Sequence, residues 1–155
     1  MKHEIKDRYT NAVLYTAELP DDTPGGLVVR HALEKAARDG ANLDGANLDG
    51  ANLAGANLAG AYLDGAYLAR AYLDGANLAG EKISKAPLSI LNLRWPVLIT
   101  EGFMRIGCKR YTHAEWREFD EAAIRKMDSD AFDFWKKWRA PLLAMCEQHA
   151  KKEPQ

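Results

Sequence analysis

The chain has 155 residues, of which 47% are hydrophobic and 28% are charged, and its formal net charge is −1. Its length and apolar content suffice for a domain with a buried core. The near-neutral charge argues against general affinity for nucleic acid or anionic membranes, so no direct nucleic-acid partner is expected. No apolar run approaches the roughly 20 residues of a membrane span, so no membrane partner is expected either.

The first ten residues and the two cysteines indicate in which cellular compartment the chain is expected. MKHEIKDRYT lacks the apolar stretch of a signal peptide. Cys108 and Cys146 form no CxxC or metal spacing. We therefore expect a reduced, cytoplasmic chain without cofactor or metal, while a disulfide between the two cysteines stays open as an alternative.

The first forty residues predict a short hairpin followed by a helix. Alternating residues suggest strands at 4–8 and 12–19, with the turn near Thr10 and Asn11. Apolar residues at positions 28/29, 32/33 and 36/37 predict an amphipathic helix over about 27–39, which Gly40 ends. We expect residues 1–40 to cap the segment that follows, because the end of a repeat array exposes apolar side chains and strand edges.

Residues 41–80 are a run of eight five-residue units, each with Ala first, Asn or Tyr second and Leu third. Gly closes seven units, and Arg70 closes the sixth. A helix is disfavoured because seven glycines would each cost about 1 kcal/mol relative to Ala, and collagen is excluded because it needs Gly at every third position. A repeated short strand with a glycine corner fits, and it points Ala and Leu to the same inner side.

These units match the pattern A-N/D-L-x-G, and the stretch resembles the pentapeptide-repeat proteins. The resemblance implies a mainly β fold, a right-handed, four-sided β-solenoid in which four units make one coil. It also places the three segments of the chain: a cap at 1–40, the solenoid at 41–100 and a helical cap or oligomerisation segment at 101–155.

A coil of four units stacks residues that lie twenty positions apart. The inner leucines then form four columns, which continue beyond the repeats to Ile83, Leu88, Leu93 and Leu98. Because each column receives an apolar residue in register, we expect a third, irregular coil that runs to about Thr100.

The segment that follows the predicted solenoid, ITEGFMRIGCKRY, predicts a short strand pair or an irregular connection, and helices come after it. Thr112 and Glu115 form a capping box that opens a helix through Trp116 and Phe119, and a second helix spans about 121–127. A third helix starts near Asp128 or Ser129, and Pro141 is expected to kink or restart it. Its apolar face is read from residues at steps of three or four: Phe132, Trp135, Trp138, Leu142, Met145 and His149.

The motifs R-I-G-C-K, T-H-x-x-W-x-x-F and M-D-x-x-A-x-x-F-W-K-K resemble a terminal segment of short pentapeptide-repeat proteins of bacteria and tailed phages. The hairpin and Ala-rich helix before the repeats fit the same group. This resemblance implies an architecture and no activity, and it makes interference with a host factor one expectation for a phage-like protein.

The sequence carries no catalytic motif, and the chain is expected not to be an enzyme. The four histidines lie in separate segments without the HExxH spacing of a zinc protease. Cys108 precedes Lys109 and Arg110, which could lower the pKa of a nucleophilic thiol. A small core cysteine is the simpler interpretation, because no motif places a base beside it.

DNA mimicry, which inhibits DNA gyrase, is the best-known role of the wider family, but the numbers disfavour it here. Three coils spaced by roughly 4.8 Å span about 14 Å, a length over which B-DNA carries about eight charges. Residues 41–80 contain four aspartates and one arginine, a net charge of −3. Only rods stacked end to end could reach the required charge.

Two groups of side chains are candidate binding sites. Tyr62, Tyr67 and Tyr72 replace Asn at the solvent-facing second position, and exposed tyrosines are common at interfaces; flat rings that merely tile a β-face are the alternative. The second group combines basic and aromatic residues that suit an anionic, nucleotide-like ligand. Its members are Arg105, Lys109, Arg110, His113, Trp116 and Arg117. The alternative for this group is a solvated face with a core tryptophan.

The sequence thus predicts a non-catalytic interaction scaffold for a protein partner. It is expected to form homo-oligomers through a flat solenoid side or through Trp135, Trp138 and Leu142 of the last helix. Sequestration of a small anionic ligand is the alternative function, and an enzyme that uses Cys108 is the third.

Overall fold

The computed structural model describes residues 1–58, 61, 63, 66–68, 71–73, 75–78 and 81–150. The chain divides into two compact units, Met1–Ser89 and Ile90–Gln155. In chain order the elements are β1 (Lys2–Lys6), β2 (Val13–Glu18), a 3-10 turn (Gly25–Leu27), α1 (Val28–Arg38), β3 (Asn57–Leu58), β4 (Asn77–Leu78), β5 (Glu81–Lys82), β6 (Leu88–Ile90), β7 (Val97–Ile99), β8 (Phe103–Ile106), β9 (Lys109–Thr112), α2 (His113–Glu118), α3 (Glu121–Arg125) and α4 (Ala131–His149).

The N-terminal cap has the predicted hairpin and helix. Strands β1 and β2 pair antiparallel, and Asn11 in the turn between them has a positive φ of 59°. Helix α1 packs on both strands with the apolar side that its spacing predicts. The buried residues of that side are Val28, Ala32, Leu33 and Ala36. Gly40, at a φ of 67°, ends the helical segment.

The repeats stack with a period of twenty residues. Parallel bridges join Asn47 to Tyr67 and Asn52 to Tyr72, and β3 pairs parallel with β4 through Asn57 and Asn77. All eight leucines at the third position are at most 3% exposed, from Leu43 to Leu78. The described second-position asparagines of the first four units are exposed, which is the inward and outward alternation that the pattern predicts.

Each described corner is a tight turn closed by a hydrogen bond from the first residue of one unit to the third residue of the previous unit. The N–H of Ala46, for example, donates to the carbonyl oxygen of Leu43 at 3.0 Å, and Ala51 and Leu48 repeat the bond at 3.1 Å. Gly45 stands at the third position of its turn with a φ of 73°. A positive φ there is the signature of a type II turn, which explains why Gly recurs at the end of the unit.

The cap satisfies the open backbone edge of the first repeats in two places. On one side the hairpin adds to the edge: the N–H of Arg8 donates to the Gly45 oxygen, and the N–H of Asn47 donates to the Lys6 oxygen, both at 2.9 Å. On another side α1 supplies side chains, with the Arg30 guanidinium donating to the Ala54 oxygen at 2.9 Å. These hydrogen bonds satisfy edge groups of the first repeats, and the capping role of residues 1–40 stays a prediction.

Among the described residues, the chain does not continue into a third parallel coil after residue 80, and this corrects the sequence prediction. Strand β5 pairs antiparallel with β4, and the N–H of Ile83 donates to the Ala76 oxygen at 2.8 Å. Ile83 is buried as expected, but Leu88, which was also expected inside, is 39% exposed. The segment after residue 80 folds back on the last repeat and does not wind onward.

The described strands form three separate sheets of two, three and four strands, and none of the three closes on itself. The repeat stretch is solenoid-like in one respect, the parallel pairing of residues that lie twenty positions apart. The closed, right-handed, four-sided coil that the resemblance implies stays a prediction.

In the second unit, α2 packs on β8 and β9, α4 packs on β7 and on α2, and α3 packs on α4. The sheet order is β6-β7-β8-β9, and the described pairs β7–β8 and β8–β9 are antiparallel. The predicted capping box opens α2: Thr112 Oγ1 accepts from the Glu115 N–H at 3.2 Å, and Glu115 Oε2 accepts from the Thr112 N–H at 2.7 Å. The core is built from Val97, Ile99, Met104, Ile106, Trp116, Ile124, Phe134, Trp135, Leu142 and Cys146.

Helix α4 runs through Pro141 without a second start, and its buried face differs in part from the prediction. Trp135 and Leu142 are buried as expected, whereas Met145 is 37% exposed and Cys146 takes the inner place. The step from Leu142 to the next inner residue is thus four positions and not three. Both steps are compatible with a helix, so spacing alone could not choose between them.

Candidate binding surfaces

A row of tyrosines and one arginine forms a surface on the first unit, which we call the tyrosine surface (Arg8, Tyr9, Tyr67 and Tyr72). The Arg8 guanidinium lies over two rings, 4.2 Å from the centre of Tyr67 and 4.6 Å from that of Tyr9. Tyr72 follows around the next corner of the repeats. Tyr9 is 69% exposed and Tyr72 is 70% exposed, so both present most of their rings to solvent.

The turn that carries Tyr9 is held by one carboxylate. Asp7 Oδ1 accepts from the Thr10 N–H at 2.7 Å and from the Tyr9 N–H at 2.9 Å. These hydrogen bonds, the Thr10 N–H first, hold the pKa of Asp7 below its usual value. Because Asp7 also bridges to Ala46, the turn has a defined position on the repeats, and Arg8 is placed against Tyr67.

Sequence reasoning found Tyr67 and Tyr72 but missed Arg8 and Tyr9. The two missed residues lie in a hairpin turn, and only the pairing of that hairpin with residues 45–47 brings them to the repeats. A charged and an aromatic residue directly after Asp7 were the available signal. Tyr62, the third predicted tyrosine, lies outside the described residues.

The predicted basic and aromatic group does not assemble into one site. Trp116 is 2% exposed, and its Nε1 donates to the Met104 oxygen at 2.7 Å, so its ring belongs to the core. His113 is buried too. Arg105 and Arg110 are opposite each other on β8 and β9, where the Arg110 guanidinium lies 5.4 Å from the centre of the Phe103 ring.

The remaining two members of that group are also separate from an exposed ring. Arg117 is exposed on α2, and its carbonyl oxygen accepts from Arg139 Nη2 at 3.0 Å. Lys109 lines a cavity on the helical side of the sheet. The arrangement therefore lacks the exposed aromatic that the nucleotide hypothesis requires.

The three residues predicted for self-association have unequal exposure. Trp135 and Leu142 are core residues of the second unit, at 4% and 1% exposure. Trp138 is half-buried, and Lys137 Nζ lies 5.3 Å from the centre of its ring. Of the three, Trp138 alone offers side-chain surface to a second copy.

The second unit contains an apolar cavity of about 110 Å³. Four aromatic rings line it, those of Trp95, Trp116, Phe134 and Trp135. The rings meet in pairs: Trp95 and Phe134 pack edge to face at 5.1 Å, and Trp116 and Trp135 are tilted by 39° at the same distance. No prediction from the sequence anticipated this space.

The two cysteine thiols lie in different environments. Cys108 and Cys146 are both free, so the disulfide alternative does not apply. Cys146 is buried, with its Sγ 3.7 Å from Met104 Sδ, and burial raises the pKa of its thiol to about 11. Within the part of the chain that is described, no three His, Cys, Asp or Glu side chains come together to hold a metal ion.

Comparison with known proteins identifies the repeats. Residues 39–80 match the family model of pentapeptide repeats in eight copies. No curated protein and no solved structure matches the chain significantly. Among the described residues, no helix has the length and apolar character that crossing a membrane requires.

Proposed function

The chain is a pentapeptide-repeat protein, and from this premise we propose that it is a non-catalytic scaffold that binds a protein partner through the tyrosine surface. Proteins of this family are in general interaction scaffolds. The observation that carries the proposal is the exposure of Tyr9 and Tyr72, each about seven-tenths open to solvent. Such rings give a large contact area at a low cost in conformational entropy.

The stack of Arg8 between Tyr9 and Tyr67 supports the same proposal. A guanidinium held over two rings keeps its charge and loses rotamer freedom before a partner arrives. Less ordering then remains to be done on binding, which favours affinity. Tyr and Arg are also the residue types that contribute most strongly to binding energy at interfaces.

We also infer that the repeats wind into a right-handed, four-sided coil. The first four five-residue repeats form its first layer, and the last four form its second layer. Two layers are shorter than the three that were already too short to imitate DNA, so mimicry of DNA is not part of the proposal. A host factor as the partner rests on the phage-type resemblance alone.

The test uses a Tyr9→Ser/Tyr72→Ser double variant and a matched control, Asn42→Ser/Asn52→Ser, which changes two exposed residues of the same repeats. Immobilised wild type, double variant and control are exposed to the same bacterial extract, and bound proteins are quantified by mass spectrometry. We expect a protein that wild type and control retain and the double variant loses. Identical sets for all three proteins would refute the role of the tyrosine surface.

Self-association is decided by light scattering on the same proteins. A wild-type mass of more than one chain that falls to one in the double variant would identify a second copy as the partner. A mass that is the same in wild type and double variant excludes the tyrosine surface as the contact between copies.

A further inference from the structure

We propose that the outer face of helix α4 pairs with the same face of a second copy of the chain, with the two helices antiparallel. This inference is independent of the proposed function, because α4 and the tyrosine surface belong to different units of the chain. It rests on the apolar character of the face, on the order of its residues along the helix and on the two charged side chains at its ends.

The second half of α4 is apolar on its exposed side as well as on its buried side. From Trp138 to Cys146 the helix carries one charged residue, Arg139, whose guanidinium donates to a carbonyl oxygen of the same unit. A helix on a protein surface normally turns polar residues to solvent, and a helix that is apolar all round is normally covered all round. The exposed apolar residues here are Ala140, Pro141, Ala144 and Met145. Their composition is that of a contact surface.

Four exposed residues of this face form a stripe that reads the same in both directions. The stripe consists of Lys137, Ala140, Ala144 and Glu147. Steps of three, four and three residues keep them on one side of the helix. Lys137 and Glu147 lie about 7.5 Å on either side of the level of residue 142, at about 1.5 Å per residue. A two-fold rotation about this level therefore brings Lys137 beside the partner's Glu147.

The charges at the two ends of the stripe select the partner and its direction. Within the described part of the chain, neither Lys137 nor Glu147 forms an ion pair, and Lys137 Nζ lies 5.3 Å from the centre of the Trp138 ring. Antiparallel pairing of two copies makes two contacts of opposite charge, one at each end. Parallel pairing would place each charge beside its own copy. Complementary charge therefore favours a second copy in the antiparallel direction.

The alanines in the middle of the stripe permit a close approach of the two helices. Interaxial distances of packed helices are about 8–10 Å, and small side chains at the contact give the lower value. The same rotation places Ala140 beside the partner's Ala144, so the long side chains of Lys137 and Glu147 flank a narrow contact. Helix α4 has 19 residues, a length of about 28 Å. One such face is smaller than a standard interface, so we expect a weak dimer with a dissociation constant in the micromolar range.

The mass of the full chain in solution tests the proposal first. Sedimentation equilibrium is measured from low micromolar to millimolar protein concentration. We expect the mass to rise from one chain to two across this range. A mass of one chain at every concentration would overturn the proposal.

Charge reversals locate the contact. Lys137→Glu creates two pairs of like charge in the dimer, and Glu147→Lys does the same. Each should raise the dissociation constant by about tenfold to a hundredfold, because two attractions become two repulsions. Lys126→Glu, which makes the same change of charge at an exposed residue outside α4, is the matched control and should leave the dimer intact. Equal dissociation constants in Lys137→Glu and the control would refute the assignment to this face.

A combined reversal separates charge pairing from damage to the helix. The variant Lys137→Glu/Glu147→Lys restores two pairs of opposite charge, so its dissociation constant should return close to that of wild type. Losses that add up in the combined variant would overturn the pairing of these two residues. The Tyr9→Ser/Tyr72→Ser variant should keep the wild-type mass, so failure of this proposal and failure of the proposed function are distinguishable.

Cross-linking tests the direction of the helices. Ala140→Cys and Ala144→Cys are made separately in a Cys108→Ala background, which removes the exposed native thiol. Oxidation of a mixture of the two variants should give more cross-linked dimer than oxidation of either variant alone, because residue 140 lies beside residue 144 of the other copy. Stronger cross-linking within each single variant would show parallel helices and contradict the proposal.

Discussion

Glu34 Oε1 in helix α1 accepts a hydrogen bond at 3.0 Å from the backbone N–H of Asn57, the first residue of strand β3. The same oxygen lies 3.2 Å from Arg30 Nε, and the Arg30 guanidinium donates to two carbonyl oxygens of the preceding corner. Two side chains of α1 therefore make the hydrogen bonds that a neighbouring strand would otherwise make. Arg30 donates to backbone oxygens and Glu34 accepts from a backbone N–H.

The first prediction concerns this pair. Glu34→Ala leaves the Asn57 N–H without its acceptor, so the free energy of unfolding should fall by about 1–3 kcal/mol at neutral pH. Glu34→Gln keeps an acceptor oxygen and should cost less. Chemical denaturation followed by circular dichroism measures both, and an equal loss in the two variants would contradict the acceptor role.

The same carboxylate predicts a loss of stability in acid. Burial raises the pKa of Glu34, but the hydrogen bonds from the Asn57 N–H and from Arg30 outweigh it, and the pKa lies below its usual value of 4.5. A carboxyl whose pKa is lower in the folded state stabilises the fold above the unfolded-state pKa and loses this contribution as the pH falls through the folded-state value. Between neutral pH and pH about 3, wild type should therefore lose more stability than Glu34→Gln. Parallel curves would exclude the effect.

The leucine columns and the end of the repeats are tested together by one type of substitution. Leu53 is fully buried, so Leu53→Ala should lower the free energy of unfolding by about 2–5 kcal/mol. Leu88→Ala removes the same atoms from a residue that is 39% exposed and should cost at most about 1 kcal/mol. Equal costs would mean that Leu88 is an inner residue of a further coil.

Substitution of corner glycines can separate two causes of lost stability, the strain of a positive φ and the steric contact of an added Cβ. Gly50→Ala forces a side chain to a φ of 68° without any contact, which should cost about 1–2 kcal/mol. Gly45→Ala adds a Cβ that would lie 2.6 Å from Asp7 Oδ2 and should cost more. Gly25→Ala, with ordinary φ and open space, is the control. Thermal unfolding should show the largest loss of stability for Gly45→Ala, a smaller loss for Gly50→Ala and the smallest for Gly25→Ala. No difference between Gly25→Ala and Gly50→Ala would disprove the turn assignment.

Alkaline pH should weaken the second unit through Cys146. Burial raises the pKa of this thiol from 9.0 to about 11, so the unfolded chain loses the proton first. The neutral thiol stabilises the folded state fully below pH about 9, and this stabilisation is lost as the pH rises to about 11. The free energy of unfolding should therefore decrease by about 2–3 kcal/mol over this range. Since all four tryptophans follow residue 90, their fluorescence reports this unit. Cys146→Ala should flatten the pH dependence relative to Cys108→Ala, and the same slope in both variants would refute the prediction.

The repeat stretch at residues 41–80 was predictable because each five-residue repeat carries the same residue types at the same positions. Ala46, Leu48 and Gly50 each follow from a rule that applies again five residues later, so local turn chemistry and burial agree. Residues 81–100 lacked that agreement. An apolar residue stood in register in every column, yet Glu81 took the place of an inward alanine and Lys85 the place of a corner glycine. Apolar register does not determine strand direction, and the chain reversed.

Candidate sites were less predictable than the fold for a similar reason. Trp116 has basic neighbours in the sequence, but its ring is buried in the core while their charged groups are not. This separation depends on the alternation of side chains along β8 and on the position of α2. Arg8 meets Tyr67 across 59 positions of sequence. Neither relationship follows from a spacing, because both depend on how separate elements dock.

The twenty-residue register also restricts how such a chain can change in length. The hairpin pairs with residues 45–47 at the start of the repeats, and the segment 81–83 pairs with 75–78 at their end. Each of these two pairings therefore requires a particular position within the twenty-residue period. Duplication of one five-residue unit between them would shift the second pairing by a quarter of the twenty-residue period. Duplication of four units would restore it. We therefore expect the repeat stretch of this chain to tolerate added length in whole steps of twenty residues, and other insertions would require a different terminal segment.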